Sequence, residues 1–436
     1  MSRQLNRRAF LKRSALAAAG TVGFPYIVRP TALGMNGTVS PSNRLELAQL
    51  GCGSMGRSNM GAFLNLGAEV QVVAVCDVDK RHLDQAKRQV DGHYNTQDCR
   101  AYQDYRQMLD NEHLDIVSHA TPDHWHALTS VDCARKGIDM YGEKPLSRTI
   151  GEGRLICDAV KRYGIIWQTG SWQRSVGHFR RGAELAFNGH IGKINYVEVG
   201  LPNGGQRSAR QLLAVPDYLD WDLWLGPAPW RPYQDFGRGD PHWDWRWIMD
   251  YSGGQLTDWA GHHVDIAHWG LGLDDTGPVE IYGTGEYPAD GVWDAPYGYE
   301  FFCTYAHGLQ MRVANQSKLP HGMGVCWYGE KGWIHVNRGG VRASDPKILG
   351  SHIGPDETRL YRSDHHQRNF IECVKTRRQT ITPAETAHRS LSVGLLGEIA
   401  MLTGRRLRWN PDTERFVNDP DADRYLMRAY RSPWIL

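Results

Sequence analysis

The chain has 436 residues, of which 41% are hydrophobic and 22% charged, so it suits a globular protein of two or three domains rather than a disordered, collagen-like or disulfide-stapled one. The net charge is +2 overall, but the first 34 residues hold six basic and no acidic residues, which leaves 44 basic against 48 acidic residues in the body. This acidic balance argues against nucleic acid or an anionic membrane as the main partner, because both need a clustered cationic surface.

Residues 1–34 are predicted to be an export signal. Residues 6–12 read Asn-Arg-Arg-Ala-Phe-Leu-Lys, and an apolar stretch follows at residues 14–28 that is too short and too weakly hydrophobic for a stable membrane span. Consecutive arginines before Phe-Leu-Lys are typical of a twin-arginine signal. A basic amphipathic helix is the alternative, but Pro25 would interrupt it. We therefore expect export to the periplasm by the twin-arginine machinery, with cleavage near residues 32–34.

The cysteines form no recognisable motif. They stand at positions 52, 76, 99, 133, 157, 303, 326 and 373, without a Cys-x-x-Cys pair or regular spacing. This pattern predicts neither a zinc motif nor a disulfide framework. We expect most of them to be buried as small hydrophobic side chains, as in a protein that folds in the cytoplasm before export.

A strand, a glycine turn and a helix are predicted at the start of the body. Residues 44–50 are half apolar and lead into Gly51-Cys52-Gly53-Ser54-Met55-Gly56, after which residues 59–66 continue in helical spacing. In such a turn the first glycine permits the tight bend and the second lets the backbone approach a pyrophosphate. The third lets helix and strand pack closely, and the helix N-terminus faces the phosphates.

A second apolar strand, residues 70–76, ends at Asp77. This acid follows Gly56 by 21 residues, where a carboxylate binds the adenosine ribose hydroxyls of a dinucleotide. Asp77 would repel a 2′-phosphate, which favours NAD, while Lys80 and Arg81 lie close enough to keep NADP as the alternative. The residues predicted to bind the cofactor here are Gly51, Gly53, Ser54, Met55, Gly56 and Asp77.

Strands and helices keep alternating as far as residue 169. Predicted strands at 114–120, 138–141 and 165–169 are separated by predicted helices, which indicates a doubly wound parallel sheet in a Rossmann domain of residues 35–170. Ligands bind such sheets at the carboxyl ends of the strands. The residues expected there, on the nicotinamide side, are Thr121, Pro122, His124, His126, Glu143 and Lys144.

Residues 171–436 have a different pattern. Short alternating runs separated by Gly and Pro predict an α+β domain with an open antiparallel sheet, and helical segments are predicted at 255–271, 364–377 and 383–403. Eight of the 16 tryptophans lie within residues 221–269, mixed with Asp, Arg and His. Flat rings beside polar groups suit a carbohydrate, while the alternative is that most of these rings belong to the core or a subunit interface.

Asp258 and His262 are the residues of this domain most suited to catalysis. They are four apart in a helical pattern, so they share one face of the helix. Oxidising a hydroxyl to a ketone requires a base near neutral pKa, which histidine provides. A lysine nearby would stabilise the developing alkoxide, and Lys144 is predicted to be that residue.

A metal site is the alternative interpretation of the histidines. The candidate ligands are His262, His263, Asp265 and His268 with His124 and His126. No complete zinc-like spacing is present, and the glycine motif already accounts for an active site, so no metal is predicted. His263 and His268 point away from the Asp258 face and are expected to be structural.

A family resemblance rests on motifs spread over the chain after residue 40: Gly51 to Gly56, Asp77, Thr121-Pro122, Glu143-Lys144-Pro145, Asp258-x-x-x-His262 and Asn369-Phe370-Ile371-Glu372-Cys373-Val374. The chain resembles the Gfo/Idh/MocA family of NAD(P)-dependent sugar and cyclitol oxidoreductases, in particular its exported members. The resemblance implies a Rossmann domain followed by an open antiparallel sheet domain, with dimers or tetramers formed through the outer sheet face.

The same resemblance implies roles for three side chains. Lys144 and His262 would transfer protons, and Asp258 would orient and tune them, although members of the family differ in the general base. The insert at residues 219–250 departs from shorter members and leaves the substrate open.

An exported dinucleotide enzyme has no obvious periplasmic pool of NAD, so we expect its cofactor to be held tightly and recycled in place. The first hypothesis is an oxidoreductase acting on a sugar or glycoside hydroxyl. The second is a redox-neutral glycoside hydrolase, in which transient C3 oxidation acidifies the C2 proton and permits elimination. A non-catalytic carbohydrate-binding protein is a third, and it predicts loss of Lys144 or His262, both of which are present.

Overall fold

The computed structural model describes residues 44–207, 211–236 and 241–436. The predicted export signal at residues 1–34 lies outside these ranges. Within them, no helix combines the length and the apolar character needed to cross a membrane. Two β-sheets organise the described part of the chain.

The first sheet is parallel and six-stranded, in the order β3-β2-β1-β4-β5-β6. Its strands are β1 Leu45–Leu50, β2 Val70–Cys76, β3 Arg100–Tyr102, β4 Ile116–His119, β5 Asp139–Gly142 and β6 Trp167–Thr169. The nearly continuous apolar run of β2 is buried, as expected for a strand covered on both faces. The strand order reverses between β1 and β4, which opens a crevice at their carboxyl ends. The predicted doubly wound sheet is confirmed.

Five helices accompany this sheet in the described chain: α1 Ser54–Leu64, α2 Lys80–Tyr94, α3 Tyr105–Asn111, α4 His126–Arg135 and α5 Ile150–Tyr163. Local sequence sets their ends. The Asp79 side chain caps α2 by accepting the Arg81 N–H at 2.8 Å. Thr149 and Glu152 form a capping box at the start of α5. Strand β3 and helix α3 were not among the predicted elements, because neither is long enough to show a periodic apolar pattern.

The second sheet has nine described strands in the order β13-β12-β11-β7-β10-β9-β8-β14-β15. They are β7 Ile194–Leu201, β8 Glu280–Glu286, β9 Gly298–Thr304, β10 Gln310–Asn315, β11 Gly324–Gly329, β12 Gly332–Asn337, β13 Gly340–Ala343, β14 Leu407–Asn410 and β15 Arg415–Phe416. The sheet is mostly antiparallel, as predicted, but β7 and β10 run parallel. Alternation along a strand cannot reveal this, because both pairings share the period of two residues.

The helices of the second half are α6 Gly177–Phe187, α7 Trp221–Leu225, α8 Pro241–Asp244, α9 Gly254–Leu271, α10 Pro346–Leu349, α11 His366–Thr376, α12 Ala384–Thr403 and α13 Pro420–Asp423. Helix α9 is buried on nearly every side, because it contacts α6, α12 and strands β7 and β11. A Cβ built on Gly261 would lie 3.3 Å from the Lys144 Cβ. Glycine at this position lets α9 approach the end of the first sheet closely.

The tryptophan-rich segment, described over residues 217–236 and 241–250, forms a small core of its own. Trp221 and Trp224 stack with ring centroids 4.8 Å apart, and Trp247 stacks on Trp293 at 4.5 Å. Most of the clustered indoles are buried, whereas Trp230 and Trp243 are 66% and 44% exposed. The alternative that most of these rings belong to the core is therefore confirmed.

The cysteines have the predicted role of small core side chains. All eight are buried and unpaired. Burial raises the pKa of Cys52 and Cys76 well above the usual thiol value, which keeps both thiols protonated and unreactive.

Candidate active site

The glycine turn between β1 and α1 leaves room for a ligand at one position. Gly51 has a φ of 79°, and a Cβ on it would lie 2.6 Å from the carbonyl oxygen of Ala120. A Cβ on Gly56 would lie 1.9 Å from the Gly51 carbonyl oxygen, whereas one on Gly53 would meet no other described residue within 4 Å. Gly53 therefore faces open space at the N-terminus of α1, where backbone N–H groups bind phosphate, and the turn fits a dinucleotide.

Asp77 is fixed beside this turn by backbone donors. Its carboxylate accepts hydrogen bonds from the Cys52 N–H at 2.7 Å and from the Asp79 N–H at 2.8 Å. The acid is thus held at the end of β2, the place from which a carboxylate binds the adenosine ribose of NAD.

The two basic residues that would accept a 2′-phosphate have other partners. Arg81 donates to the Asp79 carboxylate at 2.7 Å, and its guanidinium lies 3.5 Å from the centroid of the Tyr218 ring. The Lys80 Nζ donates to the Asp217 carbonyl oxygen at 3.5 Å. Together with Asp77, this arrangement favours NAD over NADP.

A cleft of about 990 Å³ connects the glycine turn with the beginning of α9. The predicted residues that line it are Gly51, Gly53, Ser54, Met55, Gly56, Asp77, Thr121, Pro122, Glu143, Lys144 and Asp258. Glu143 accepts a hydrogen bond from Asn59 at 2.9 Å, and burial raises the pKa of its carboxyl. The cleft therefore opens at the carboxyl ends of β1, β2, β4 and β5, where the topology predicts a ligand.

Lys144 and Asp258 form an ion pair where the two sheet domains meet this cleft. The Lys144 Nζ lies 2.9 Å from the Asp258 Oδ1, and each side chain is only 12% exposed. Burial opposes ionisation of Asp258, but the charges of Lys144 and Arg246 outweigh it and lower the pKa of the carboxyl. The Asp258 carboxyl is consequently ionised at neutral pH and fixes the Lys144 Nζ in the cleft.

Arg246 is a second cation in the cleft. Its Nε lies 3.6 Å from the Asp258 Oδ1, and its guanidinium lies 4.6 Å and 4.5 Å from the ring centroids of Trp243 and Trp245. The sequence placed Arg246 only among the polar neighbours of the tryptophans. Its position depends on how the tryptophan-rich segment folds back, and no local pattern encodes that.

His262 lies one helical turn beyond Asp258, and it is not among the described residues that line the cleft. Its ring centroid is 5.4 Å from that of Trp259 and 6.5 Å from that of Trp172. Burial, followed by the charge of Lys144, lowers the pKa of His262 well below its usual value. The imidazole is neutral at pH 7, and its Nδ1 has no hydrogen-bond partner within the described chain.

His124 and His126 do not line the described cleft, contrary to expectation. The His124 Nε2 lies 3.0 Å from the Trp224 carbonyl oxygen. The His126 ring lies between two carbonyl oxygens, with Nδ1 2.7 Å from that of Pro145 and Nε2 2.9 Å from that of Thr121. Burial lowers the pKa of both rings, so they act as neutral braces behind the cleft.

Asp123 belongs to the stretch 121–126 expected on the nicotinamide side, although it was not among the predicted site residues, and it lines the cleft. Its Oδ2 accepts a hydrogen bond from the Ser252 Oγ at 2.6 Å. Burial, assisted by the nearby charge of Asp258, raises the pKa of Asp123 to about 7. Burial thus brings the pKa of this carboxyl into the neutral range, whereas it lowers the pKa of the neighbouring His124 and His126.

The histidine-rich face of α9 does not gather metal ligands. The His263 Nδ1 lies 2.9 Å from the Gly200 carbonyl oxygen, and the His268 Nε2 lies 2.7 Å from the Tyr305 hydroxyl. Asp265 accepts a hydrogen bond from Arg174 at 2.8 Å. These side chains have separate structural partners.

One other group of possible ligands lies near the adenosine end of the cleft. Ligand atoms of Asp79, His82 and His242 lie within 4.8 Å of one another. Asp79 is already paired with His242 at 2.9 Å and with Arg81 at 2.7 Å. The geometry is that of an ion-pair cluster between α2 and the tryptophan-rich segment.

The tryptophan-rich segment covers part of the cleft. Asp79 forms a β-bridge with Leu219, and the Lys80 N–H donates to the Tyr218 carbonyl oxygen at 2.8 Å. The segment contributes five residues to the lining of the cleft: Trp224, His242, Trp243, Trp245 and Arg246. The segment is thus bonded to the Rossmann domain next to Asp77.

Two family matches cover most of the chain. Residues 45–171 match the oxidoreductase family with an NAD-binding Rossmann fold, and residues 203–436 match the C-terminal alpha/beta domain of the same Gfo/Idh/MocA oxidoreductase family. Their order along the chain agrees with the order of the two sheets.

Two curated relatives are named as glycoside hydrolases. A glycosyl hydrolase family 109 protein of Shewanella pealeana is 30% identical over 174 residues, which are 36% of this chain and 38% of the relative. An alpha-N-acetylgalactosaminidase of Shewanella oneidensis is 27% identical over 176 residues, 36% of this chain and 37% of the relative. The chain thus spans less than two fifths of the length of these relatives.

Solved structures with the same fold include two sugar-related proteins. The WlbA dehydrogenase of Bordetella pertussis, in complex with NADH and UDP-GlcNAcA, has a TM-score of 0.63 and 18% identity, covering 84% of this chain and 99% of that one. The aldose-aldose oxidoreductase of Caulobacter crescentus, complexed with glycerol, has a TM-score of 0.59 and 18% identity with the same coverage. From the family matches, the glycine turn and the sheet order, we conclude that this chain belongs to the Gfo/Idh/MocA family of oxidoreductases and carries an NAD-binding Rossmann domain.

Proposed function

We propose that this protein is an NAD-dependent oxidoreductase that acts on a secondary hydroxyl of a sugar or glycoside while holding its cofactor tightly. The observation that carries the proposal is the Lys144–Asp258 ion pair, 2.9 Å long, in the same cleft as the open glycine turn. A buried ammonium next to a dinucleotide site is suited to a hydroxyl that becomes an alkoxide during oxidation.

The side chains divide the work as follows. Bound NAD supplies the hydride acceptor. Lys144, oriented by Asp258, donates a hydrogen bond to the substrate oxygen and stabilises the negative charge that develops on it. We assign the hydroxyl proton to His262, which is neutral and whose Nδ1 has no partner in the described chain; burial makes this ring a weaker base than a free imidazole. Asp258 keeps the ammonium in place through both steps.

A sugar substrate is supported by the surroundings of the ion pair and by the relatives. Trp243 lines the cleft and is 44% exposed, so its indole contributes aromatic surface to the wall of the cleft, of the kind on which sugar rings pack. The Bordetella protein was crystallised with a sugar nucleotide, and the Caulobacter protein is named for aldoses. We extend this substrate class to the present chain as part of the proposal.

Tight retention of the cofactor is supported by the cover over the adenosine end. The tryptophan-rich segment is bonded to the Rossmann domain by a β-bridge and by the hydrogen bond between Asp79 and His242. A dinucleotide bound along the glycine turn would have to leave past this cover. Retention would suit a protein exported by its Arg7-Arg8 signal, and we propose both export and recycling of the cofactor in place.

A redox-neutral glycoside hydrolase is the second candidate, and the two named relatives favour it. In that reaction the sugar is oxidised at C3, the C2 proton is removed, and the glycosidic bond breaks by elimination. Water addition and reduction then restore the sugar. The residues required are the same Lys144, His262 and Asp258.

The deciding experiment follows the absorbance at 340 nm and the release of reducing sugar together, on a panel of glycosides, with and without added NAD. Absorbance that grows with added NAD, without sugar release, shows an oxidoreductase that exchanges its cofactor and contradicts retention. Sugar release with no net absorbance identifies the redox-neutral hydrolase. A second sugar that is reduced as the first is oxidised, without added NAD, supports the oxidoreductase with a retained cofactor.

A further inference from the structure

Arg338 occupies an unusual position at the tip of the hairpin between β12 and β13. Its guanidinium lies 4.3 Å from the ring centroid of Trp259 and 4.8 Å from that of Trp172. Arg338 is nonetheless exposed. Two indoles therefore hold a solvent-accessible guanidinium in one place, which reduces the conformational freedom a ligand would otherwise have to restrict.

The two buried arginines of the described residues are paired with acids, whereas the exposed Arg338 has no acidic partner there. Arg174 is bonded to Asp265 and Asp274, and Arg148 is bonded to Glu398. Within the described residues no carboxylate oxygen lies within 4.0 Å of the Arg338 guanidinium nitrogens. With the Gln173 amide turned to suit its neighbours, its oxygen accepts a hydrogen bond from the Arg338 Nε at 3.1 Å. The terminal nitrogens thus keep their donors for a ligand.

This guanidinium lies next to the proposed catalytic histidine. The two indoles that contact Arg338 also contact His262, at centroid distances of 5.4 Å for Trp259 and 6.5 Å for Trp172. The three aromatic rings and the guanidinium form one cluster. A substrate with a hydroxyl at His262 would have other ring substituents within reach of Arg338.

The charges around the ion pair leave an excess of positive charge. Lys144 and Arg246 are both close to the Asp258 carboxylate, and Arg338 adds a third cation near His262. Asp258 is the one acid that forms an ion pair with these cations in the described chain; Asp123 and Glu143 also line the cleft, and burial raises the pKa of both carboxyls, which reduces their negative charge. A neutral sugar would not balance this excess, whereas an anionic one would.

We propose that the substrate is a sugar or glycoside with an anionic substituent, a carboxylate or a sulfate, which Arg338 binds through its terminal nitrogens. The inference rests on the proposed function and specifies its substrate class. A guanidinium presents paired N–H donors that match the two oxygens of a carboxylate or sulfate. The indoles keep that pair of donors in a fixed orientation.

The test compares glucuronate, glucose 6-sulfate and glucose as ligands of the full-length mature protein loaded with NAD. Quenching of tryptophan fluorescence reports binding near Trp172 and Trp259, and the 340 nm assay reports turnover. We expect at least one anionic sugar to bind at least about tenfold more tightly than glucose, as expected for a charge-assisted hydrogen-bond pair. The carboxylate and sulfate arms show which anion the site accepts.

Substitution of Arg338 shows whether this side chain is responsible. We expect Arg338→Met to reduce the preference for the anionic sugar by about tenfold or more while changing glucose binding little. Arg338→Lys should retain part of the preference, because the charge remains without the paired donors. Arg362→Met serves as the control, because Arg362 is an exposed arginine paired with Asp364. It should leave the preference unchanged.

Three results separate the possible failures. If glucose and both anionic sugars bind equally and neutral sugars are turned over, the anionic substrate is wrong and the proposed oxidoreductase stands. If an anionic preference persists in both Arg338 variants, Arg338 is not the binding residue. If no sugar of either kind binds or is turned over, the proposed function fails together with this inference.

Discussion

Lys144 depends on a partner that is 114 residues away in the sequence, and this partnership defines its proposed role. Lys144→Met keeps much of the side-chain volume but removes the charge that would stabilise an alkoxide. We expect turnover to fall by at least about a hundredfold, because one electrostatic donor in a preorganised site contributes on that order. The measurement is kcat on the best glycoside from the panel.

Lys136→Met is the matched control for Lys144→Met. Lys136 is an exposed lysine paired with Asp110 at 2.8 Å and is not among the described residues lining the cleft, so its loss should leave kcat unchanged. Equal activity in Lys144→Met and wild type would remove Lys144 from the catalytic set.

Asp123 gives the folded protein a pH dependence that an asparagine would remove. Its carboxyl has a usual pKa of 3.8 and a folded-state pKa of about 7, so between these values the folded state keeps a proton that the unfolded state releases. The stability from this proton is full below pH 4 and is lost as the pH rises to 7. Relative to Asp123→Asn, the wild type should lose up to about 4 kcal/mol over this window.

Denaturant unfolding at pH 5, 6, 7 and 8 tests the expectation for Asp123. The difference between Asp123→Asn and wild type should grow from pH 5 to 7 and then level off. Asp98→Asn, a change at an exposed acid, is the control and should shift all four values alike. A difference that is constant with pH would mean that Asp123 is already ionised at pH 5.

At the scale of elements, folding and ligand binding require different glycines of the β1–α1 turn. Gly53→Ala places a Cβ where no other described atom lies within 4 Å, so we expect an unchanged Tm. We expect NAD binding to be weakened at least about tenfold, because the added methyl group enters the phosphate position. Gly56→Ala places a Cβ 1.9 Å from the Gly51 carbonyl oxygen, so it should lower Tm.

Calorimetry of NAD binding and thermal unfolding, each measured on both variants, distinguish these effects. The contrast between the two glycines is the informative result. Normal NAD affinity in Gly53→Ala would show that the cofactor does not approach the turn at this residue.

The cover of the cleft is a second element whose function can be measured. His242 joins the tryptophan-rich segment to Asp79 at 2.9 Å, and His242→Ala removes this hydrogen bond to the carboxylate without altering the glycine turn. We expect release of bound NAD to become about tenfold faster, because losing one charge-assisted contact corresponds to about 1.4 kcal/mol. Rapid dilution of the protein loaded with NADH, with nicotinamide fluorescence as the signal, measures the release rate. His93→Ala, on the helix that Asp79 caps, is the control.

At the scale of the whole molecule, the destination of the protein depends on residues that the two-sheet body does not include. Replacing Arg7 and Arg8 by lysine keeps the charge but removes the paired arginines, so we expect the protein to accumulate in the cytoplasm in a folded, NAD-binding form. Fractionation of cells followed by immunoblotting measures this. Unchanged export of the double variant would disprove the twin-arginine route.

Patterns that are local in the chain were sufficient for the first sheet and for its cofactor. The glycine turn, the apolar strand β2 and Asp77 lie within one stretch of 33 residues from Leu45 to Asp77, where the helical and strand periods can be read directly. Asp258 and His262 were found in the same way, because one helix carries both. Elements as short as β3 and α3 lack enough residues to show a period.

The tertiary structure alone decided which groups meet and what state each is in. Arg246 reaches Asp258 and Arg338 reaches Trp259 only because the tryptophan-rich segment and the β12–β13 hairpin fold back to α9. Burial likewise lowers the pKa of His124 and His126 and raises the pKa of Asp123 to about 7. The sequence by itself determined the fold class and the dinucleotide turn, because these depend on contacts between near neighbours. Long-range contacts and desolvation, which no local pattern records, determined the charges of the site.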